Sequence, residues 1–258
     1  MALFDSHAHL PYDETLDGVL DRAAAAGITA ILNVLCDLKS LQKGVDLPQK
    51  KRGVHLFYAA GFHPHETETD EGEVFQLVTD ACRQKRLVAI GEVGLDYHYK
   101  NVSKDVQQAV LRKYLRLAKK ESLPLIIHCR DAYEDFFSIF DEEFKGVKPP
   151  PGVLHCFTGT QKEAEEGLQR GFYISFSGII TFEKAAQLRA VASSTDVHRI
   201  LIETDSPYLA PVPYRGKKNE PAYVVEVARV VAELKKMSLD AFAAQTFQNT
   251  KELFSLSV

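Results

Sequence analysis

Short apolar runs alternate with amphipathic segments along almost the whole chain. Most of the runs are continuously apolar, a pattern typical of parallel strands that are buried on both faces. Eight such runs occur, near residues 5, 32, 59, 91, 127, 155, 175 and 203. Helical periodicity fills several intervals, over residues 14–27, 70–85, 103–122 and 160–171, and over two further segments between 221 and 256. Gly27 and Gly171 are expected to end two of these helices.

The alternation of strand and helix candidates predicts the α/β class. Their number and the chain length of 258 residues match a (β/α)8 TIM-like barrel. A doubly wound open sheet is the alternative, but it usually has a glycine-rich phosphate turn after its first strand. The chain has "DSHAHLP" at that place, over residues 5–11. We therefore predict a single barrel domain over residues 1–258, with the short proline-rich stretch 145–152 as a loop.

The composition narrows the class of protein. An apolar fraction of 45% and a formal charge of −4 fit a globular protein and give no global basic field for coating nucleic acid. The four cysteines are scattered without a Cys-x-x-Cys pair, which argues against a zinc ribbon and favours reduced thiols. Because neither a signal segment nor a membrane-spanning apolar stretch is recognisable, we expect a cytoplasmic protein without a membrane partner.

Histidine and carboxylate side chains follow six of the eight apolar runs. Any one of them is compatible with a chance polar residue at the end of a strand, but chance is a poor explanation for six. The carboxyl ends of barrel strands gather around one mouth, where barrel enzymes have their active sites. The sequence therefore predicts a pocket rich in ligands for divalent cations. Its expected members are His7, His9, His63, His65, Glu92, Asp96, His128, His155, Glu203 and Asp205.

These residue types predict a dinuclear metal centre. Two cations about 3.5–4 Å apart can bridge a water, lower its pKa and stabilise an oxyanion. The two histidines after the first run are expected to bind one ion, and His128 and His155 the other, while Glu92 has two oxygens with which to bridge both. Asp205 is expected to bind an ion and to take the proton of the attacking water. The expected cofactors are two divalent ions, with zinc, manganese or iron favoured over calcium and magnesium also a candidate.

Three residues next to these ligands are given other roles. Cys129 and Cys156 directly follow histidines, so strand alternation is expected to turn them away from the pocket and into the core. Glu203 is expected to brace the loop after the last strand rather than to act in catalysis.

Several long motifs resemble those of a known family. They are "FDSHAHL", "GFHPH", "IGEVGLDY", "PLIIHCRDAYED", "LHCFTG" and "LIETDSPYLAPVPYRGKKNEP". In this order they look like the motifs of the TatD-type metal-dependent deoxyribonucleases of the amidohydrolase-like superfamily, and the resemblance extends from residue 3 to about residue 250. One departure is Pro11, where many relatives have an acidic or amide residue. The metal ligands that the resemblance implies are His7, His9, Glu92, His128, His155 and Asp205.

The resemblance implies hydrolysis of phosphodiester bonds in DNA, as a 3′-to-5′ exonuclease or at abasic sites. The expected partner is therefore DNA, single-stranded or at its ends, and the expected state is a monomer. The resemblance also implies that Asp205 is the general base and that His63 lies near the substrate phosphate.

Other residues add signals for a phosphate or nucleotide substrate. Arg130 follows a histidine of the pocket by two residues, and Arg215 lies in a basic loop after the last strand, where barrels often bind phosphate. Tyr97, Tyr99 and Tyr214 are candidates either for stacking on a base or for packing at the rim of the pocket.

Two other functions compete with the nuclease. An amidohydrolase or esterase acting on a small molecule would use the same dinuclear site, and a narrow apolar pocket would favour it. A non-enzymatic barrel that serves as a scaffold is the third possibility. The basic "RGKK" loop favours the nuclease, and the complete ligand set argues against the scaffold.

Overall fold

The computed structural model describes residues 1–66 and 71–257, and these contain nine β-strands. The strands are β1 (Leu3–Ala8), β2 (Ile28–Leu35), β3 (Lys50–Lys51), β4 (Val54–Ala60), β5 (Ala89–Asp96), β6 (Leu125–Arg130), β7 (Gly152–Leu154), β8 (Phe172–Phe176) and β9 (Ile200–Ile202). Eight of them correspond to the eight apolar runs of the sequence. The additional strand, β3, pairs antiparallel with β4 and lies outside the order of the main sheet.

Nine α-helices of the described residues lie between and after the strands. They are α1 (Leu16–Ala25), α2 (Leu38–Gly44), α3 (Glu71–Arg83), α4 (Lys104–Glu121), α5 (Tyr133–Glu143), α6 (Gln161–Gln169), α7 (Ala186–Ser194), α8 (Val224–Leu234) and α9 (Leu239–Phe254). The predicted helical segments are confirmed, except that residue 70 lies outside the described residues. Gly27 and Gly171 have φ of 87° and 90° after α1 and α6, as expected of residues that end helices.

Eight parallel strands form the barrel, in the order β1-β2-β4-β5-β6-β7-β8-β9. The first strand meets the segment that follows the last one. The amide of His9 donates to the carbonyl of Ser206 at 2.8 Å, and the amide of Asp205 donates to the carbonyl of His7 at 2.9 Å. The sheet is thus a nearly closed barrel surrounded by helices, which confirms the predicted (β/α)8 fold over the open sheet. No helix within the described ranges is long and apolar enough to cross a bilayer.

The strand side chains fall into an inner and an outer apolar cluster. The inner cluster takes alternate residues from the barrel strands, among them Phe4, Ala89 and Ile126. Phe4 also contacts Phe247 of α9, with ring centroids 5.6 Å apart, so the C-terminal helix covers the amino-terminal end of the barrel. The outer cluster joins the other face of the strands to the surrounding helices. The open, carboxyl-terminal end of the barrel is left for the polar residues.

In β6 and β7 the regular alternation of the strand continues into the site. Ile126 belongs to the inner cluster, so His128 and Arg130 lie on the same inward face. The same alternation leads from the inward residues of β7 to His155, which directly follows the strand. His128 and His155 therefore reach the barrel mouth without any special backbone feature, whereas Asp205 lies three residues beyond β9, in a left-handed turn.

In β1 the alternation is interrupted, and the interruption turns two histidines inward. Phe4 belongs to the inner cluster, but Ala8, four residues further on, belongs to the outer one. Between them the pairing of β1 with β2 shifts its register, between Asp5 and Ala8. Such irregularities re-aim the side chains that follow them. His7 and His9 consequently occupy the inward face that unbroken alternation would have denied them.

The same change of face occurs in β5. Ala89 lies in the inner cluster, whereas Val93 lies in the outer one, and the register with β6 shifts between Ile90 and Val93. Glu92 lies in this shifted segment and is turned into the barrel mouth. Gly94 follows it on the inward face and pairs with His128 of β6.

The close approach of β5 to β6 allows a test of this geometry. A Cβ atom at Gly94 would overlap the carbonyl oxygen of His128. Because the clash is with backbone atoms of the neighbouring strand, which cannot move aside as a flexible side chain could, we expect Gly94→Ala to lower the free energy of unfolding by about 2 kcal/mol or more. Gly18→Ala in α1 is the control, since its nearest neighbour would be 3.4 Å away and alanine favours a helix by about 1 kcal/mol. Urea denaturation measures both, and a Gly94→Ala protein as stable as the wild type would contradict the packing.

Candidate metal centre

A pocket of about 730 Å³ opens at the carboxyl ends of the barrel strands. Its walls are dominated by imidazoles and carboxylates from six of the strand ends. The titratable residues among them include His9, His63, His65, Glu92, Asp96, His128, His155 and Asp205. His7 adjoins them and is fully buried. The structure therefore brings together all six residues for which metal binding is predicted.

Glu92 lies at the centre of this cluster, with only 3% of its side chain exposed. Its Oε1 is 2.6 Å from His155 Nε2 and 2.9 Å from His128 Nδ1. Its Oε2 is 3.4 Å from His7 Nε2 and 3.7 Å from His9 Nε2. The two oxygens of one carboxylate thus face two different pairs of imidazoles.

The first donor group consists of His7, His9, Asp205 and Glu92 Oε2. The two histidine Nε2 atoms are 3.3 Å apart, and Asp205 Oδ1 is 3.7 Å from His7 Nε2 and 3.6 Å from His9 Nε2. His9 Nδ1 lies 3.0 Å from the carbonyl oxygen of Val34, which orients its ring. Ligands that bind one ion at about 2.1 Å are about 3.0–3.4 Å from one another in octahedral or tetrahedral geometry. The first donor group fits one divalent cation to within a few tenths of an ångström.

The second donor group consists of His128, His155, His63 and Glu92 Oε1. His128 Nδ1 and His155 Nε2 are 3.4 Å apart, and His63 Nε2 is 3.4 Å from Glu92 Oε1. The donor atoms of His63, Glu92 and His128 all lie within 4.8 Å of one another. His63 is therefore placed as a potential ligand of a cation, in addition to its predicted position near the substrate phosphate.

Two buried carboxylates orient the histidines of the second donor group. Glu203 Oε1 lies 3.2 Å from His155 Nδ1 and accepts a hydrogen bond from the amide of Cys156 at 2.6 Å. Asp96 Oδ2 lies 3.0 Å from His128 Nε2. Carboxylate–histidine pairs of this kind fix the ring orientation and tautomer of metal ligands. Glu203 thus holds His155, a candidate ligand, which is a more direct role than the loop bracing expected from the sequence.

Burial and the imidazoles act in opposite directions on the two inner carboxylates. Burial alone raises the pKa of Glu92, but the charges of His155 and His63 outweigh it and hold this pKa well below its ordinary value. Burial likewise opposes ionisation of Asp205, yet its polar contact with His9 and the nearby histidine charges lower its pKa below the usual value. Both carboxylates are therefore anionic at neutral pH, the form that binds cations.

The backbone around Asp205 explains how this carboxylate reaches the first donor group. Asp205 has φ of 55°, in the left-handed region that few residues other than glycine adopt. Asp5, buried in β1, accepts hydrogen bonds from the amide of Thr204 at 2.8 Å and from its hydroxyl at 2.5 Å. Burial raises the pKa of Asp5 to about 8. These contacts fasten the turn at Asp205 to β1, beside His7.

The structure separates the two arginines predicted to contact substrate. Arg130 lines the pocket, with its guanidinium carbon 5.3 Å from the ring centroid of Tyr99. Arg215 is not among the described residues that line this pocket. It donates to the carbonyl of Ala210 at 3.0 Å, and its guanidinium carbon lies 3.9 Å from the ring centroid of Phe182. Its contact with a phosphate stays a prediction.

Three cysteines, Cys36, Cys129 and Cys156, are among the residues that line the pocket. Cys129 also packs in the outer apolar cluster, as predicted, whereas the positions of the other two are not anticipated by the sequence analysis. Cys156 lies beyond the end of β7 with φ of 43°, so strand alternation no longer governs it and the expectation that it points into the core is wrong. Its Sγ is 3.1 Å from Ser177 Oγ. Cys36 Sγ is 3.7 Å from Glu92 Oε2. The signal for Cys36 is present in the sequence, since it lies two residues after the inward Val34.

Comparison with known proteins agrees with this architecture. The profile of a family described as TatD related DNase matches residues 4–255. YabD of Bacillus subtilis strain 168, described as an uncharacterized metal-dependent hydrolase, is 40% identical over 258 residues, which cover 99% of this chain and 100% of YabD. The 3′-5′ ssDNA/RNA exonuclease TatD of Escherichia fergusonii is 32% identical over 246 residues, 93% of each chain.

A solved structure gives the same result for the fold. The crystal structure of YJJV, a TatD homologue from Escherichia coli K12, matches with a TM-score of 0.90 at 27% identity, over 99% of this chain and 98% of that chain. The resemblance seen in the sequence motifs is thereby confirmed. The chain belongs to the TatD-related DNase family.

Proposed function

We propose that the protein is a metal-dependent nuclease that removes nucleotides from the 3′ end of single-stranded DNA. The proposal rests on one observation, the two donor groups that share Glu92 at the bottom of a polar pocket. The relative from Escherichia fergusonii, which is named a 3′-5′ ssDNA/RNA exonuclease, supports the substrate class and the polarity. The histidines and carboxylates of the pocket lining suit a charged substrate better than an apolar small molecule.

The residues of both donor groups fit divalent cations, with zinc, manganese and magnesium as candidates. The first donor group would hold one ion and the second donor group another, and Glu92 would contribute one oxygen to each. Divalent ions bound there would supply Lewis-acid polarisation of the phosphate and acidification of a water.

Residues of the chain provide the other requirements of hydrolysis. The Asp205 side chain is ionised and 13% exposed at the pocket, so it can accept the proton of a water that attacks phosphorus. Arg130 presents a guanidinium at the pocket wall, where charge-assisted hydrogen bonds can orient a phosphate. As the water oxygen bonds to phosphorus, the bond between phosphorus and the 3′ oxygen breaks. That oxygen keeps the electron pair, takes up a proton from solvent and becomes the 3′-hydroxyl of the shortened strand, and the terminal nucleotide leaves as its 5′-phosphate.

The role of Asp205 can be tested with a matched pair of variants. Asp205→Asn removes the proton acceptor, and we expect hydrolysis to fall by about 10²–10⁴-fold while the fold is kept. Asp80→Asn makes the same change at a side chain of α3 that is 43% exposed, and is expected to behave like the wild type. The assay follows a 5′-labelled single-stranded oligonucleotide with magnesium, manganese or zinc, and with chelator. Near-wild-type cleavage by Asp205→Asn would refute the assignment of the base.

The outer carboxylates allow the two donor groups to be distinguished. Asp96→Asn and Glu203→Gln loosen His128 and His155 respectively, so we expect the second ion to bind about 10–100-fold more weakly and the first to be retained. Glu92→Ala should remove both ions. Metal titration followed by elemental analysis of the desalted protein measures these effects. Full metal content in Glu92→Ala would contradict the bridging role, and equal weakening of both ions by Asp96→Asn would contradict the division into two groups.

A further inference from the structure

The rim of the pocket has two large exposed aromatic side chains, Tyr99 and Tyr208. Their exposed fractions are 52% and 62%, and both line the pocket. The chain contains 15 Phe and 10 Tyr residues, and all the others lie in the described ranges as buried or partly buried side chains. Both exposed rings therefore lie at the mouth of the candidate metal centre. Exposed aromatic rings at a pocket mouth indicate a ligand with flat apolar faces.

The other tyrosines considered as stacking candidates are already engaged. The Tyr97 hydroxyl donates to Asp135 Oδ2 at 2.8 Å, and the ammonium of Lys104 lies 4.0 Å from its ring centroid. Tyr214 stacks on Tyr223, with ring centroids 3.8 Å apart. Of the three tyrosines predicted from the sequence, Tyr99 is the one that lines the pocket, and 52% of it is exposed.

Tyr99 and Tyr208 lie on opposite sides of the mouth. Tyr99 follows β5, the fourth strand of the barrel order, and Tyr208 follows β9, the eighth. In a ring of eight strands these positions are half a turn apart. The ring of Tyr208 is 6.2 Å from that of His9 in the first donor group, and the ring of Tyr99 is 4.7 Å from that of His65 on the other side.

The pocket that both rings line also contains groups suited to a phosphodiester. Residues of both donor groups line it, and Arg130 adjoins Tyr99 with its guanidinium carbon 5.3 Å from the ring centroid. Proteins that bind single-stranded nucleic acid without sequence preference combine cationic groups along the backbone with aromatic rings on which the bases stack, since every base has a flat face.

We propose that Tyr99 and Tyr208 stack on the two bases that flank the scissile phosphate of a single-stranded nucleic acid, an inference that rests on the proposed nuclease function. Neighbouring bases of a duplex stay stacked about 3.4 Å apart, so they cannot reach rings on opposite sides of the mouth. A single strand can splay its bases around one phosphate. The tyrosine pair therefore selects single strands and frayed ends over paired DNA.

The test uses the full chain with manganese and a 5′-labelled oligothymidylate. Three substrates are compared: one with all bases, one with a tetrahydrofuran abasic residue at the 3′ end, and one with that residue at the penultimate position. Tyr99→Ala and Tyr208→Ala should each lower kcat/KM on the complete strand by about 10-fold or more, mainly through KM. When one of the two bases is absent, the variant whose ring stacks on that base should show no further loss, and the other variant should keep its loss. When the other base is absent, the two variants should exchange these results.

Conservative and remote variants control the experiment. Tyr99→Phe and Tyr208→Phe keep the ring face and should recover most of the loss, whereas Val147→Ala removes an exposed apolar side chain away from the pocket lining. A loss of equal size on all three substrates, or phenylalanine variants as poor as alanine ones, would overturn the stacking role.

The two proposals can fail separately. If the wild type cleaves no strand with any metal, the nuclease proposal fails. Fluorescence anisotropy of the same strands on the wild type and the tyrosine variants then decides the stacking inference: base-dependent losses of affinity would uphold it, and their absence would overturn it.

Discussion

The structure depends on the burial of one carboxylate, Glu92, among imidazoles. Five histidine rings have a nitrogen within 3.7 Å of its two oxygens. A buried carboxylate is strongly unfavourable unless it is paired and hydrogen-bonded, so the fold must supply partners on both sides of it. These partners come from β1, from β6 and from the segments after β4 and β7. The position of Glu92 therefore constrains much of the barrel mouth, and the two donor groups are two consequences of the same constraint.

The sequence predicts which residues lie together at the barrel mouth, but not the backbone geometry that directs their side chains into it. His128 and His155 follow from strand alternation, because β6 and β7 are regular up to the barrel mouth, whereas Asp205 lies beyond β9 in a left-handed turn. His7 and Glu92 reach the mouth only through register shifts in β1 and β5. A single irregular residue leaves the apolar pattern of a strand almost unchanged, so periodicity does not reveal it. The expectation that these two residues reach the mouth therefore rests on residue type and motif.

Sequence patterns do not reveal which side chains interact when their segments lie far apart along the chain. Glu203 is 48 residues from His155, and Asp96 is 32 residues from His128, so no local spacing links them. In the loop after the last strand, the sequence suggests an interaction with substrate that the structure does not show. Its basic composition suggests phosphate binding, but the guanidinium of Arg215 is already hydrogen-bonded and stacked within the protein. Charge in a loop specifies neither its conformation nor the direction in which its side chains point.

The two donor groups are held in place by different kinds of interaction. The first is fixed by the closure of the barrel, because the amide of Asp205 binds the carbonyl of His7 and the amide of His9 binds that of Ser206. Its geometry is therefore tied to the stability of the fold. The second is fixed by side-chain carboxylates behind its histidines, in a network that continues from Asp96 towards the rim. Substitutions at the rim can then alter the second group without opening the barrel, so the capacity to adjust substrate preference lies on that side of the pocket.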